Sequence, residues 1–322
     1  MNSRNFFAIT ASTVLLALGI AACGDDSSSS SSSGDASAPS GLAGTLDIDG
    51  SSTVGPLTQA VAEQFGTDNP DLQVTVGTSG TGGGFEKFCA GETVINDASR
   101  PIDPKEEVPI CEKNGIKYEE VQVANDALTV VVNNANPVTC LTVEQLAEIW
   151  RPDNPVSSWS DVSDLDPPYD ADLERFGPGS SSGTFDYFSG AVNGEEGVLT
   201  KDFNNVGEDD NQTVTGVEGS EGGIGYFGFS FFEENQENLK ALEIDGGDGC
   251  VAPSSETVQD GTYTPLGRPL FMYVNTDELQ SNEALQPFVQ YYVDNVNDIA
   301  PQIGFITMTD EQLSKSQQAV GG

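Results

Sequence analysis

Phe176-Gly177-Pro178-Gly179-Ser180-Ser181-Ser182-Gly183-Thr184-Phe185-Asp186-Tyr187-Phe188 is the stretch on which the reading of this chain turns. Leu173 to Phe176 reads as the end of a strand. Phe185 and Phe188, three residues apart, share one face of a helix. Between them lies a loop made almost wholly of small donors, so the unit is strand–loop–helix. The first N–H groups of a helix have no intrahelical partner, and the positive end of the helix dipole sits there. An oxyanion at Ser182, Gly183 and Thr184 would receive backbone N–H bonds and two hydroxyl donors. Taken alone, the same residues also suit an ordinary helix cap.

Working back along the chain, the pattern recurs. Thr45-Leu46-Asp47-Ile48 alternates as a strand, and Pro56 suits the first turn of a helix with Leu57, Ala60, Val61 and Phe65 on one face. Ser51, Ser52, Thr53 and Val54 therefore occupy a strand-to-helix loop. Gln73 to Val76 is the next strand and runs into Gly77-Thr-Ser-Gly-Thr-Gly-Gly-Gly-Phe85, with a short helix through Phe88. This loop is too rich in glycine for core packing. It has neither strict GxGxxG spacing nor the GK[ST] of a P-loop. Val94 to Ala98 is a third strand, ending in Ser99-Arg100-Pro101. Ligands of open α/β sheets bind outside the carboxyl ends of the strands. Four such loops converging point to a site for an oxyanion or a similar polar ligand far more strongly than one does.

Forward of the quoted stretch, Gly222-Gly-Ile-Gly-Tyr-Phe-Gly-Phe229 reads as close packing near a cleft, structural rather than ligand-contacting. Two apolar runs, Ala127 to Asn133 and Leu270 to Asn275, read as buried strands that cross between two α/β regions. Thr142-Val-Glu-Gln145 is a capping box for a helix through Trp150. Two further helices are expected over Asn282 to Val293 and Asp310 to Ala319. The fold class is α/β with two lobes, each a doubly wound sheet, joined by two hinge strands. The expected division is 44–126 with 270–322 for the first lobe and 127–269 for the second. Two lobes so joined can close like a clamp.

The chain has 322 residues, with 51 acidic and 12 basic side chains, no histidine, and a formal charge of −39. A surface so acidic repels nucleic acid and anionic lipid. It suits a saline habitat, where salt screens self-repulsion. Without histidine, Ser-His-Asp catalysis and His-ligated metal sites are excluded. At the N-terminus, Arg4 precedes an apolar run from Phe6 to Leu18 and then Ile20-Ala21-Ala22-Cys23. This is a signal peptide over 1–22, and its ending resembles a bacterial lipobox, which implies cleavage before Cys23 and lipidation of that thiol. The Ser-rich tract that follows, within 23–43, reads as a flexible tether. Four cysteines remain: Cys89, Cys111, Cys140 and Cys250. An even count in an exported chain suggests two disulfides, for which three pairings are possible. Cys89–Cys111 with Cys140–Cys250 is the expected one; the first closes a local loop and the second clips distant segments. No CxxC spacing supports zinc, and neither a metal nor a cofactor is expected.

The segments Gly50-Ser-Ser-Thr-Val54, Gly77 to Phe85, Ala98-Ser-Arg100, Ser182-Gly-Thr-Phe185 and Gly223-Ile-Gly-Tyr226 together resemble the substrate-binding protein of bacterial phosphate ABC importers, the PstS family. The resemblance runs in order from about Gly44 to Val320. It implies a type II periplasmic-binding-protein fold. It implies too a lipid-anchored receptor outside the cytoplasmic membrane that takes inorganic phosphate in the interlobe cleft and delivers it to an ATPase-driven membrane permease. The family's first loop matches Ser52, Thr53 and Val54, its second Ser79 and Thr81, and its Ser-Gly-Thr loop Ser182, Gly183 and Thr184. A monomer is expected.

One departure stands out. Many members of the family carry an Asp after the Ala-Ser pair, where it accepts the proton of hydrogen phosphate; here that residue is Arg100. An arginine can fork onto two oxygens but cannot accept a proton. Rejection of sulfate needs an acceptor, and Asp97, Asp126 and Asp186 are candidates. Arg100 is taken as the charged ligand, with Arg175 a weaker candidate. The rival readings are a receptor for another tetrahedral oxyanion, such as sulfate or a metal oxyanion, an exported phosphatase, and a surface adhesin. The phosphatase reading has no histidine to activate Ser182 and no two-metal cluster in the sequence.

Overall fold

The structure is a computed structural model and describes residues 41–153, 155–180, 182–207 and 209–321. The signal peptide, Cys23 and most of the Ser-rich tether lie outside the described residues.

The chain begins with alternating strands and helices: β1 (Ala43–Gly50), α1 (Gly55–Asp68), β2 (Asp71–Val76), α2 (Thr81–Ala90), β3 (Ile95–Ala98) and α3 (Val108–Asn114). Leu57, Val61 and Phe65 recur every fourth residue and bury one face of α1, whose start carries Pro56. β1 lies between β2 and β3, parallel to both. All three strands therefore deliver their carboxyl-end loops to one side.

β4 (Tyr118–Asn133) then runs 16 residues. The second region is built from β5 (Cys140–Thr142), α4 (Val143–Trp150), β6 (Glu174–Gly177), α5 (Gly183–Asn193), β7 (Asn204–Asn205), α6 (Asp210–Gly219), β8 (Gly223–Gly228) and α7 (Phe229–Asn235). β9 (Leu239–Ala241), β10 (Glu243–Asp245), β11 (Cys250–Val251) and α8 (Ser255–Gln259) complete it. The chain returns along β12 (Gly267–Asn275) and ends in α9 (Thr276–Ser281), α10 (Leu285–Ile299) and α11 (Asp310–Val320). Thr142 opens α4 with both bonds of a capping box, as its sequence predicts.

Among the described residues the main sheet has nine strands, in the order β2-β1-β3-β12-β4-β8-β6-β7 with β9 also on β4. β4 is shared. Tyr118 to Ala127 pairs with β12, and Leu128 to Val132 pairs with β8. The two halves of this sheet thus meet within one strand. An isolated antiparallel bridge between Asn125 and Ile306 lies beside this handover, a contact that the sequence reading lacked. The buried side chains separate on either side of the handover. Leu46, Ile95, Val123, Leu270 and Phe288 belong to one core, and Leu128, Trp150, Phe188, Tyr226 and Ile244 to another.

Of the three possible cysteine pairings, the expected one forms. Cys89 is bonded to Cys111, tying α2 to α3, and Cys140 to Cys250, tying β5 to β11. The Gly-Tyr stretch is strand β8, and Tyr226 stacks on Phe188 of α5 with centroids 3.7 Å apart. That contact anchors the helix whose N-terminus faces the cleft.

Candidate functional site

The four loops converge. Ser51, Ser52, Thr53, Gly80, Thr81, Ser99 and Gly183 line a cavity of about 40 Å³. It adjoins a larger one of about 340 Å³ that Ser52, Thr53, Gly183 and Thr184 also line. A methyl group on Gly183 would lie 3.2 Å from Thr53 Oγ1 and 3.3 Å from Ser52 Oγ, so the loop before α5 approaches the loop after β1 closely. Any side chain at 183 would fill the space between them.

Each loop is held from behind. Ser51 Oγ accepts bonds from the amides of Thr53 and Val54, at 3.2 and 3.4 Å, and Ser51 N donates to Asp97 O at 2.8 Å. Thr81, the first residue of α2, shares a 3.0 Å hydroxyl–hydroxyl contact with Ser99 after β3. Ser182 is the N-cap of α5, with its backbone extended and its side chain buried. The helix starts at Gly183 and at Thr81 therefore supply both backbone donors and hydroxyls at the cavity wall.

Four candidates are drawn elsewhere. The amide of Val54 is engaged by Ser51 Oγ, and its side chain is fully buried. Ser79 donates from N and Oγ to Asp49 Oδ1, at 2.9 and 2.7 Å. Asp49 also pairs with Lys87. Burial alone would raise the Asp49 carboxyl, but the bonds from Lys87, Ser79 and Gly50 outweigh it and bring it down to about 2. Arg100 gives its fork to Glu107, with Nη1 to Oε2 at 2.9 Å and Nη2 to Oε1 at 2.7 Å, and lies half exposed over Phe85. It lines neither cavity. A carboxylate seven residues along the same loop satisfies it locally. Arg175 is 3% exposed and donates to the carbonyls of Ile149 and Val156, bracing the second region's interior.

The cation in the cleft is one the sequence reading missed. Arg268, near the start of β12, lines both cavities. Its Nε and Nη2 each lie 3.2 Å from Asp126 Oδ2, and Nη2 donates to Thr53 Oγ1 at 3.0 Å. Its guanidinium carbon sits 3.4 Å from the centre of the Tyr187 ring on α5. Tyr187 is fixed in turn by a 3.0 Å bond to Pro265 O.

The three carboxylates named as proton acceptors separate. Asp97 is fully buried beneath the loop after β1; burial pushes its carboxyl up to about 7, with the Asp49 charge adding and the Thr58 hydroxyl opposing. Asp126 is tied to Arg268. Asp186, in the first turn of α5, lines the smaller cavity, and burial raises its carboxyl. Glu196 lines the same cavity and was not anticipated.

The sequence matches the PBP superfamily domain over residues 35–296. It is 41% identical over 300 residues to Protein SphX of Synechocystis sp., covering 92% of this chain and 84% of that protein. It is 37% identical over 327 residues to the phosphate-binding protein PstS of Staphylococcus saprophyticus, covering 100% of this chain and 96% of that protein. A crystal structure of a possible phosphate binding protein from Planctomyces limnophilus superposes with a TM-score of 0.81 at 41% identity, covering 87% of this chain and 98% of that one. The Staphylococcus and Planctomyces relatives are named as binding proteins, and this chain, which shares their family, is a substrate-binding protein rather than an enzyme. With its two cores, shared strand and four loops meeting at one cleft, the chain belongs to the PstS family of the periplasmic-binding-protein superfamily.

Proposed function

We propose that this chain is an extracytoplasmic receptor that binds inorganic phosphate between its two lobes and passes it to the membrane permease of an ABC importer. One observation carries the reading. The loops after β1, β2 and β3 and the loop before α5 bring Ser52, Thr53, Thr81, Ser99 and Gly183 to one small cavity, with Thr184 lining the larger cavity beside it and Ser182 capping the helix behind. Hydroxyls and helix starts on every side suit a tetrahedral oxyanion. The names of the relatives as phosphate-binding proteins support the same ligand. In this reading the lobes are 44–126 with 270–322 and 127–269, and they swing about the handover in β4. Cys23 carries a lipid that holds a monomeric receptor at the outer face of the membrane.

Phosphate is favoured over sulfate because Asp186 and Glu196 line the smaller cavity. An anion without a proton would be repelled by these two carboxylates, whereas hydrogen phosphate can donate one bond to a carboxylate. Calorimetric titration of the protein with phosphate and with sulfate at matched salt tests this. Phosphate should bind at least 100-fold more tightly, a difference of about 2.7 kcal/mol; equal affinities would remove the assignment of phosphate. Membrane retention of the parent and loss of it in Cys23→Ser tests the anchor.

A further inference from the structure

We infer that Arg268 is the charged anion-binding residue of this cleft, carried on the crossing strand β12 and not on any of the four strand-to-helix loops. The inference deepens the phosphate reading and rests on it. Among the described residues, Arg268 is the sole cation that lines either cavity. Arg100 is forked onto Glu107, Arg175 is buried on backbone carbonyls, and Lys87 is paired with Asp49.

Three elements aim the guanidinium. Asp126 of β4 holds it along Nε and Nη2, Thr53 holds Nη2, and the Tyr187 ring covers one face. A guanidinium fixed in this way keeps the two N–H groups of Nη1 for the anion, and little entropy is lost when it binds. Thr53 is itself a candidate ligand, so the hydroxyl and the guanidinium converge on one spot.

Electrostatics requires such a residue. Without Arg268 the lining of the two cavities would carry Asp126, Asp186, Glu196 and Asp210 with no cation among the lining residues, in a chain of formal charge −39. Position matters as well. Arg268 pairs through β12 with Asp126 at the handover, where the lobes pivot. A charge at the pivot stays in place as the lobes move, so the anion meets its counter-charge before closure as well as after it.

The test is calorimetric titration of inorganic phosphate into the parent, Arg268→Ala, Arg268→Lys, Arg268→Gln and Arg100→Ala at matched salt, with thermal melting of each without phosphate. Arg268→Ala should weaken phosphate binding on the order of 10- to 100-fold, while Arg100→Ala should stay within about threefold of the parent. Arg268→Lys should fall between parent and Ala, because a charge without a fork restores part of the contact. If Arg268→Ala fails to fold, the Lys and Gln variants decide: Lys binding at least tenfold more tightly than Gln supports the inference, and equal binding overturns it. A parent that binds phosphate with a folded Arg268→Ala that binds equally well would leave the phosphate reading standing and make Arg268 a hinge strut. If the parent takes another oxyanion instead, the same series is run with that anion and judged in the same way. A parent that binds no tetrahedral oxyanion would overturn both readings.

Discussion

Two buried carboxylates in the first lobe work in opposite directions with pH. Asp97 has its carboxyl raised from 3.8 to about 7, chiefly by burial. Between those values the folded chain keeps a proton that the unfolded chain loses, so this group's contribution is full below about 3.8 and falls away as pH rises toward 7. Asp49, lowered to about 2, contributes above 3.8 and loses that contribution as pH falls toward 2. Asp97→Asn should therefore become more stable relative to the parent as pH rises from 4 to 7, by a few kcal/mol at most. Urea unfolding of both proteins at pH 4.5, 6 and 7.5 checks this; a constant difference would refute it. The same scale shows why part of the site was hidden. Ser182-Gly-Thr184 announces itself because a helix start is a local pattern. Arg268 takes its meaning from Asp126, 142 residues away, and Thr53, 215 away, and no local pattern records either. Arg100 looked like the better cation because its loop was already suspect, while the carboxylate that claims it, Glu107, lay just beyond the motif.

At the scale of elements, helix starts and close approaches carry the predictions. Thr142 Oγ1 accepts from the backbone amide of Gln145 at 3.1 Å, and Gln145 Oε1 accepts from Thr142 N at 2.9 Å. Thr142→Ala should cost about 1 kcal/mol of stability with phosphate affinity unchanged. Gly84 is a harder constraint. A methyl group there would stand 1.9 Å from Asn96 Oδ1 and 2.5 Å from Gly50 Cα, so α2 rides directly on β1 and β3. Gly84→Ala must push the helix outward and displace Thr81 with it. The expected loss is about 1–3 kcal/mol of stability, together with weaker phosphate binding, as chemical unfolding and calorimetry on one preparation would show. Strand and helix periodicity made these elements readable. It recovered α1, α4 and the first three strands closely. It fell short for β4 and β12, whose outer residues are too polar to signal a strand: the first begins at Tyr118, before the apolar run from Ala127, and the second at Gly267, ahead of Leu270. That shortfall of three residues is what left Arg268 outside the strand.

At the scale of the whole molecule, charge sets the approach of the ligand. The far field of a chain with 51 acidic and 12 basic residues opposes any anion. Only the short-range donors of the cleft attract it, and salt limits the repulsive field to roughly 8 Å at physiological ionic strength. Raising salt from low to moderate should therefore speed phosphate association, the reverse of ordinary electrostatic steering. Stopped-flow mixing at about 20 and 150 mM salt, across the range where the screening length shrinks most, would read this directly, and a falling rate would contradict it. The shared strand has another consequence, which concerns synthesis and export. The inner edge of β3 is covered only by β12, in register from Ala98 against Phe271 to Ile95 against Val274, and the first half of β4 also waits for β12. A nascent chain that has not yet delivered Gly267 to Asn275 therefore carries two open strand edges facing each other across a gap. Such edges invite pairing with other chains. A fragment ending before Gly267 should be recovered as aggregate or degraded, while the full chain folds, because the last quarter of the polypeptide is the piece that closes the first.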